Sequence, residues 1–367
     1  MANSLCERLG IEFPLFAFSH CRDVVAEVSK AGGYGVLGAL AYNAERLEVE
    51  LSWIDEHVGG RPYGVDFAMP EKFVGKGEPY SLDALHELIP PGHTEHMEKV
   101  LSNHGVPPLP EDSERRVIAA GLGVEAEGPG QVEVALRHPV SMIVNALGPP
   151  PAYAIEAAHE KGVLVGALSG SPRHARRNVD AGVDVIIAQG GEAGGHTGEI
   201  GTMVLVPAVV DEVGPDIPVL AAGGIGNGRQ MAAAMALGAQ GAWTGSLWLT
   251  VAEAATEPWV VDNLLKAGYS DTVRSRAMTG KPARQIRTEW TEAWDGPDNP
   301  APLPMPLQGI VYADASARFM RARSSALSGS PAGQIVGSIN KVRRSREVVL
   351  DIVEEWLATV RRLAEDG

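Results

Sequence analysis

Two groups of residues in this chain have types and spacings that can do chemistry. Residues 188–198 read AQGGEAGGHTG, in which Gly190, Gly191, Gly194 and Gly195 crowd in before a single histidine, His196. An imidazole with an ordinary pKa of about 6.5 can take or give a proton near neutrality. Glycines packed in front of it suggest that something bulky lies against the backbone there. The competing reading is a loop histidine bonded to backbone. The second group is AAGGIGNG (221–228) with GAWTGSL (241–247). Backbone N–H groups at Gly223 and Gly224, with the hydroxyls of Thr244 and Ser246, can hold a phosphate dianion without any lysine. The plainer alternative is that these glycines only make tight turns. Gly224, Gly226 and Gly228 also imitate a dinucleotide fingerprint. That fingerprint needs an acidic residue at the end of the next strand, about 20 residues on. Trp243, Thr244, Gly245 and Ser246 stand there instead, so this reading fails.

The elements around these residues alternate. Eight apolar runs read as strands: 13–18, 34–39, 61–67, 140–146, 162–168, 183–189, 217–223 and 241–247. Helix-like stretches at 22–33, 150–162, 172–182 and 228–239 lie between them, several closed by Ala-Gly or Gly-Ala. Strands alternating with helices imply a parallel sheet, and eight such units predict a closed (β/α)8 TIM barrel. In such a barrel the loops after the seventh and eighth strands frequently form a phosphate site. The predicted organisation is a barrel over residues 1–250 and a C-terminal extension of loops and helices over 251–367, packed on or capping it. An insertion after the third strand, at about 68–139, is rich in Pro, His, Glu and Gly and is placed to cover the site. Within it, VIAAGLG (117–123) reads as a ninth strand, a helix or plain insertion. Beyond 250 the strand signal fades. TGKPARQIRTEW and DGPDNPAPLPMP read as loops, and SREVVLDIVEEWLATVRRLAED reads as an amphipathic terminal helix, packed on the barrel or at a dimer contact.

Composition narrows the partners. Acidic residues outnumber basic ones 46 to 31, for a formal charge of −15, which argues against nucleic acid or an anionic membrane. No apolar run approaches the roughly 18 residues of a membrane span, and no signal-peptide core is visible. A cytoplasmic protein is expected. The two cysteines, Cys6 and Cys21, make neither a disulfide framework nor a cysteine-rich zinc site. His93 and His96 lie among Pro and Gly with no rigid scaffold, so no metal is expected.

AQGGEAGGHTG, VLAAGGIGNG and GAQGAWTGSLWL together closely resemble the nitronate monooxygenases, which are FMN-dependent (β/α)8 enzymes. A weaker likeness extends to FPLFAFSH, AGGYGVLGA and RPYGVDF, and to TGKPARQIR and PAGQIVGSI. The resemblance implies flavin contacts at Gln189, Gly194 and Asp66. It implies phosphate contacts at Gly223, Gly224, Trp243, Thr244, Gly245 and Ser246, and a catalytic base at His196. Two positions depart from the family pattern. Asp66 stands where the family usually carries Asn, which leaves a protonated acid, a side chain turned away, or altered chemistry as readings. The first strand ends in Ser19-His20-Cys21 rather than Pro-Met, which puts His20 in the substrate pocket or in simple packing. Glu192 reads as a support for the site or as a solvated loop carboxylate.

The activity implied is oxidation of an alkyl nitronate, or of a nitroalkane, by O2 to a carbonyl compound and nitrite. The cofactor would carry the redox step and the protein would supply orientation and charge. The alternatives are an NAD(P)H-dependent FMN reductase of the enoyl-ACP or quinone reductase type, and a flavin-binding protein without turnover. A homodimer is the expected assembly if the chain does associate.

Overall fold

Runs rich in β-branched and aromatic residues become the staves of a closed parallel barrel in the computed structural model, which describes residues 4–69, 82–110 and 124–365. In chain order the strands are β1 (Leu15–Ser19), β2 (Tyr34–Gly38), β3 (Tyr63–Phe67), β4 (Met142–Asn145), β5 (Leu164–Ser169), β6 (Val185–Gln189), β7 (Gly195–His196), β8 (Val219–Ala222), β9 (Gly241–Thr244), β10 (Thr272–Ser275) and β11 (Ala283–Ile286). The barrel runs β1-β2-β3-β4-β5-β6-β8-β9 and closes where Phe16 of β1 pairs with Trp243 of β9. All eight expected strands are present, and closure leaves no sheet edge exposed.

Side chains alternate across each strand. Leu15, Leu37, Val65 and Ile186 face outward into the core shared with the surrounding helices. Phe16, Val36, Met142 and Leu220 fill the barrel's interior. Burying one such side chain stabilises the fold by about 1.5–3 kcal/mol, so the barrel is a packed core and not a pore.

The insertion after β3 and the C-terminal extension share a second core. Helix Pro91–Asn103 from the insertion packs against helix Leu307–Arg321 through Met97, Val100, Leu101, Val311 and Phe319, with Trp290 and Trp294 between them. Arg318, buried in this seam, pairs with Glu98 at 2.6 Å and donates to the carbonyl of Pro107 at 3.1 Å. His93 and His96 are built into the same seam. Their Nε2 atoms meet the carbonyls of Ala301 and Ala293, and both rings lie against Trp294. Among the described residues no cluster of three His, Cys, Asp or Glu side chains is arranged to hold a metal. The run 117–123 lies outside the described residues.

The extension is less loop-like than its composition suggests. Residues 279–290, expected as loop, contain β11. This strand pairs antiparallel with β10 and with β7, making a three-stranded sheet against the rim. TVRS and ARQI are too short and too polar to announce themselves as strands. Their partner strand, β7, lies some 76 residues before β10, so no local signal marks the pairing. The terminal helix Ser345–Glu365 is as expected, and Val349, Ile352 and Val353 join it to the barrel's outer core. It crosses helix Gly228–Ala236 so closely that a Cβ on Gly228 would sit 2.1 Å from the Trp356 nitrogen. The third glycine of the false dinucleotide motif therefore serves helix packing. Among the described residues, no helix is long and apolar enough to cross a membrane.

Candidate active site

The rim of the barrel gathers most of the residues singled out above. Phe18, Leu168 and Trp243 present apolar surface from the interior face, and Phe18 stacks on Trp243 with ring centroids 6.4 Å apart. Two polar side chains share this face. Gln189 lies two residues beyond the interior-facing Ile187 on β6, and Asp66 sits between Val65 and Phe67, which both face outward. Asp66 is thus not turned away. It is 5% exposed, and its Oδ1 has no hydrogen-bond partner among the described residues. Burial pushes its pKa well above the usual carboxylate range.

His20 stands at the end of β1. Its Nδ1 lies 3.0 Å from the carbonyl of Gly38, and its own carbonyl accepts from Tyr42 Oη at 2.6 Å. The ring fills the space a Gly38 side chain would need. Solvent reaches the ring through the open rim, while the surrounding walls lower its pKa by desolvation against the raising effect of the Gly38 carbonyl.

His196 is placed by β7, so its position depends on the distant β11, where it pairs with Ala283. Its Nδ1 lies 3.2 Å from the Pro282 carbonyl and its Nε2 lies 3.4 Å from the Thr279 hydroxyl. A carbonyl can only accept, so Nδ1 carries the hydrogen and Nε2 the lone pair. Burial, with a smaller contribution from Lys281, lowers the pKa below the ordinary histidine value, and the Pro282 carbonyl partly opposes this. The imidazole is therefore neutral and basic at pH 7.

The ends of β8 and β9 form an anion-sized corner. Gly223 and Gly224 take φ values of +104° and +69°, which side-chain-bearing residues rarely adopt. Among the described residues, the backbone N–H groups of Gly223, Gly224, Gly245 and Ser246 have no protein acceptor. Ser246 Oγ accepts from Gly333 N–H at 2.8 Å and keeps its proton to donate. Thr244 corrects the expectation. Its hydroxyl donates to the Phe16 carbonyl at 2.7 Å and accepts from Trp248 Nε1 at 3.0 Å, so it is committed on the barrel's outer face. The Trp243 indole likewise packs within the core, stacked between Phe16 and Phe18.

The glycines before His196 do have bulk against them, and that bulk is the protein's own chain. A Cβ on Gly190 would lie 2.1 Å from Thr202 Oγ1. One on Gly194 would lie 2.8 Å from Ala332 Cα and 2.9 Å from Gly333 N. Residues 332–334 cross the loop as a strap, with Gln334 N–H donating to the Glu192 carbonyl at 2.9 Å. Glu192 is neither free nor solvated. Its carboxylate accepts from Thr202 N–H and Oγ1, both at 2.9 Å, and caps helix Thr202–Val213. Arg284 ties the loop to β10 and β11, donating to the Gly191 carbonyl at 2.8 Å and to Thr272 Oγ1 at 3.0 Å. Neither Arg284 nor the strap had a role in the sequence reading, because each acts across more than 85 residues. The segment PAGQIVGSI was visible only as part of the family likeness. A cavity of about 480 Å³ opens elsewhere, between Asn227, Leu247, Arg343 and Glu355 on the barrel's flank, and shares no residue with the rim side chains.

Comparison with known proteins follows the same lines. A family model described as nitronate monooxygenase matches residues 5–355. A Mycobacterium tuberculosis protein named "Putative monooxygenase Rv1533" is 53% identical over 99% of this chain and 98% of its own length. A Staphylococcus saprophyticus protein named "Probable nitronate monooxygenase" is 30% identical over 80% of this chain and 81% of its own. Among solved structures, nitroalkane oxidase from Streptomyces ansochromogenes superposes with a TM-score of 0.80 at 24% identity, covering 98% of this chain and 99% of that one. FabK from Thermotoga maritima superposes with a TM-score of 0.73 at 26% identity over the full length of both.

Proposed function

Because the chain belongs to the nitronate monooxygenase family of flavin-dependent oxidoreductases, we propose that it binds FMN at the barrel rim and oxidises alkyl nitronates or nitroalkanes with O2. The products are a carbonyl compound and nitrite. The observation that carries the FMN reading is the corner at β8 and β9. Four backbone N–H groups without acceptors among the described residues and the Ser246 hydroxyl stand at the ends of two adjacent strands. A terminal phosphate suits that donor set, since it needs several donors and no fixed cation. The apolar floor of Phe18, Leu168 and Trp243 suits the flat face of a ring system, with Gln189 and Asp66 as its polar contacts. When bound, the flavin supplies the two-electron redox chemistry.

His196 then performs the proton step. Its Nδ1–H is anchored on the Pro282 carbonyl, so Nε2 offers a lone pair to the Cα–H of a neutral nitroalkane. Desolvation keeps the imidazole unprotonated before substrate arrives. With a substrate that is already a nitronate, no proton need be removed, and the neutral histidine has no proton on Nε2 to offer the anion. The sheet of β7, β10 and β11 holds the ring in place, and the strap over Gly194 shields the loop from water.

Anaerobic mixing tests this reading. The FMN-loaded protein is combined separately with ethyl nitronate and with NADH while the flavin's visible spectrum is followed. Rapid loss of the oxidised spectrum with nitronate, and little with NADH, is the expected result. Fast bleaching by NADH with none by nitronate would assign the chain to NAD(P)H-dependent reduction instead.

A further inference from the structure

Asp66 is a buried acid whose Oδ1 has no hydrogen-bond partner among the described residues. Its neighbours across the sheet are Gly38 on β2 and Val144 on β4, and neither offers a polar side chain. The contrast with Asn145 on β4 is direct. That amide accepts from Met69 N–H at 2.8 Å and donates to the carbonyls of Met69 and Gly148, so its capacity is used within the fold. Asp66, equally buried, faces the other way, and its Oδ1 is left with nothing to bond. The other titratable groups at the rim are His20 from the end of β1, His196 from β7, and Lys281 beside it. No hydrogen bond or ion pair joins any of them to Asp66, and burial is the cause assigned to its raised pKa. A carboxylate buried without a counter-ion neutralises in preference to staying charged. A neutral carboxyl has one O–H to donate, and Asp66 projects from the same interior face of the barrel as Phe18, Leu168 and Trp243.

We propose that Asp66 is a neutral acid whose O–H donates a hydrogen bond to an acceptor atom of the ring system seated in the mouth. The proposal rests on the FMN reading and deepens it. An amide at this position would donate an N–H at any pH, whereas an acid donates only while protonated. The ring therefore binds the protonated protein preferentially, and binding raises the acid's pKa further. Affinity is flat below the pKa of the free protein and falls about tenfold per pH unit above it, until the ligand-bound pKa is reached. His20 and His196 titrate below the ordinary histidine range, so this loss on the alkaline side is not theirs.

The test uses the full-length chain and its Asp66→Asn variant, with FMN as the probe. Infrared difference spectroscopy reads the carbonyl stretch of a protonated carboxyl before and after FMN addition, and fluorescence titration gives the FMN dissociation constant between about pH 6 and 9. The expected result is a protonated-carboxyl band in the wild type at neutral pH that moves to lower frequency with FMN and is missing from the variant. The wild-type dissociation constant should rise on the alkaline side while that of the variant stays flat. An ionised Asp66 at neutral pH, or a band that ignores FMN, overturns the proposal. If neither protein binds FMN, the cofactor reading fails and the donor role fails with it, while the band in the free protein still reports whether the acid is neutral. The wild-type infrared reading stands even if the variant does not fold.

Discussion

Replacing Gly194 by alanine tests whether the loop before His196 is shaped by the strap that crosses it. The new Cβ would sit 2.8 Å from Ala332 Cα, 2.9 Å from Ala332 C and 2.9 Å from Gly333 N. All three are backbone atoms, so no side chain can swing aside and the strap must lift. Overpacking of this kind costs about 1–3 kcal/mol. The strap carries two hydrogen bonds, Gly333 N–H to Ser246 Oγ at 2.8 Å and Gln334 N–H to the Glu192 carbonyl at 2.9 Å. Each contributes about 0.5–1.5 kcal/mol net. A lifted strap that loses both gives a total of about 4 kcal/mol from the middle of these ranges. For a chain of this size that lowers the melting temperature by about 8 °C, taking roughly 2 °C per kcal/mol. Ser246 also loses its anchor at the phosphate corner, and an FMN affinity weakened about tenfold corresponds to 1.4 kcal/mol. The assay is thermal unfolding at one scan rate with and without FMN, beside an FMN titration. Gly92→Ala is the control, since its Cβ would meet nothing within 4 Å. Equal melting and equal FMN binding in the two variants would refute the reasoning.

Other expectations follow from single contacts. His196→Asn should lower kcat/KM for a neutral nitroalkane by about 10²–10⁴-fold with FMN still bound, and should affect a preformed nitronate far less. Because burial lowers the His196 pKa, the basic form is lost only on acidification, so the wild-type nitroalkane profile should be flat above about pH 6.5 and fall below it. A profile that falls from pH 8 downward would assign the base elsewhere. Glu192→Ala removes the acceptor for Thr202 N–H and Oγ1 and should destabilise the fold by about 2 kcal/mol, read as a lower urea midpoint at unchanged slope. His104 takes a raised pKa from the Val100 carbonyl and then from Glu289, 2.5 Å from its Nε2. Its stabilising effect is complete below about pH 6.5 and is lost as pH rises through the elevated folded value. His104→Gln should remove that decline from the stability profile.

The barrel was legible because its cause is local. β-Branched runs ending in Gly, Ser or Asn recur at intervals that a strand and a helix fill, and each of the eight became a strand. Gly223, Gly224 and Ser246 could be picked out as candidate donors for the same reason, as they occupy consecutive strand ends. What could not be read lies across long separations. Nothing near His196 announces that Ala283 will pair with it, or that Ala332 and Gly333 will cover Gly194. The crowded glycines were correctly seen to imply close approach, but their sequence has no bearing on which chain approaches. Thr244 shows the opposite limit. Its hydroxyl has the right chemistry for a phosphate, yet alternation along β9 turns it outward from the barrel, where Phe16 and Trp248 engage it.

The strap also sets an order of events during synthesis. The barrel's last strand is finished at Thr244, but the residues that cover the Gly194 loop follow at Ala332 and Gly333. A ribosome adding about 5–20 residues per second needs roughly 4 to 18 s to travel between them. During that interval the nascent chain can close its barrel while the loop bearing His196 lacks first β11 and the strap, and then the strap alone. The loop bearing His196 is thereby completed late in the life of the nascent chain, after the staves.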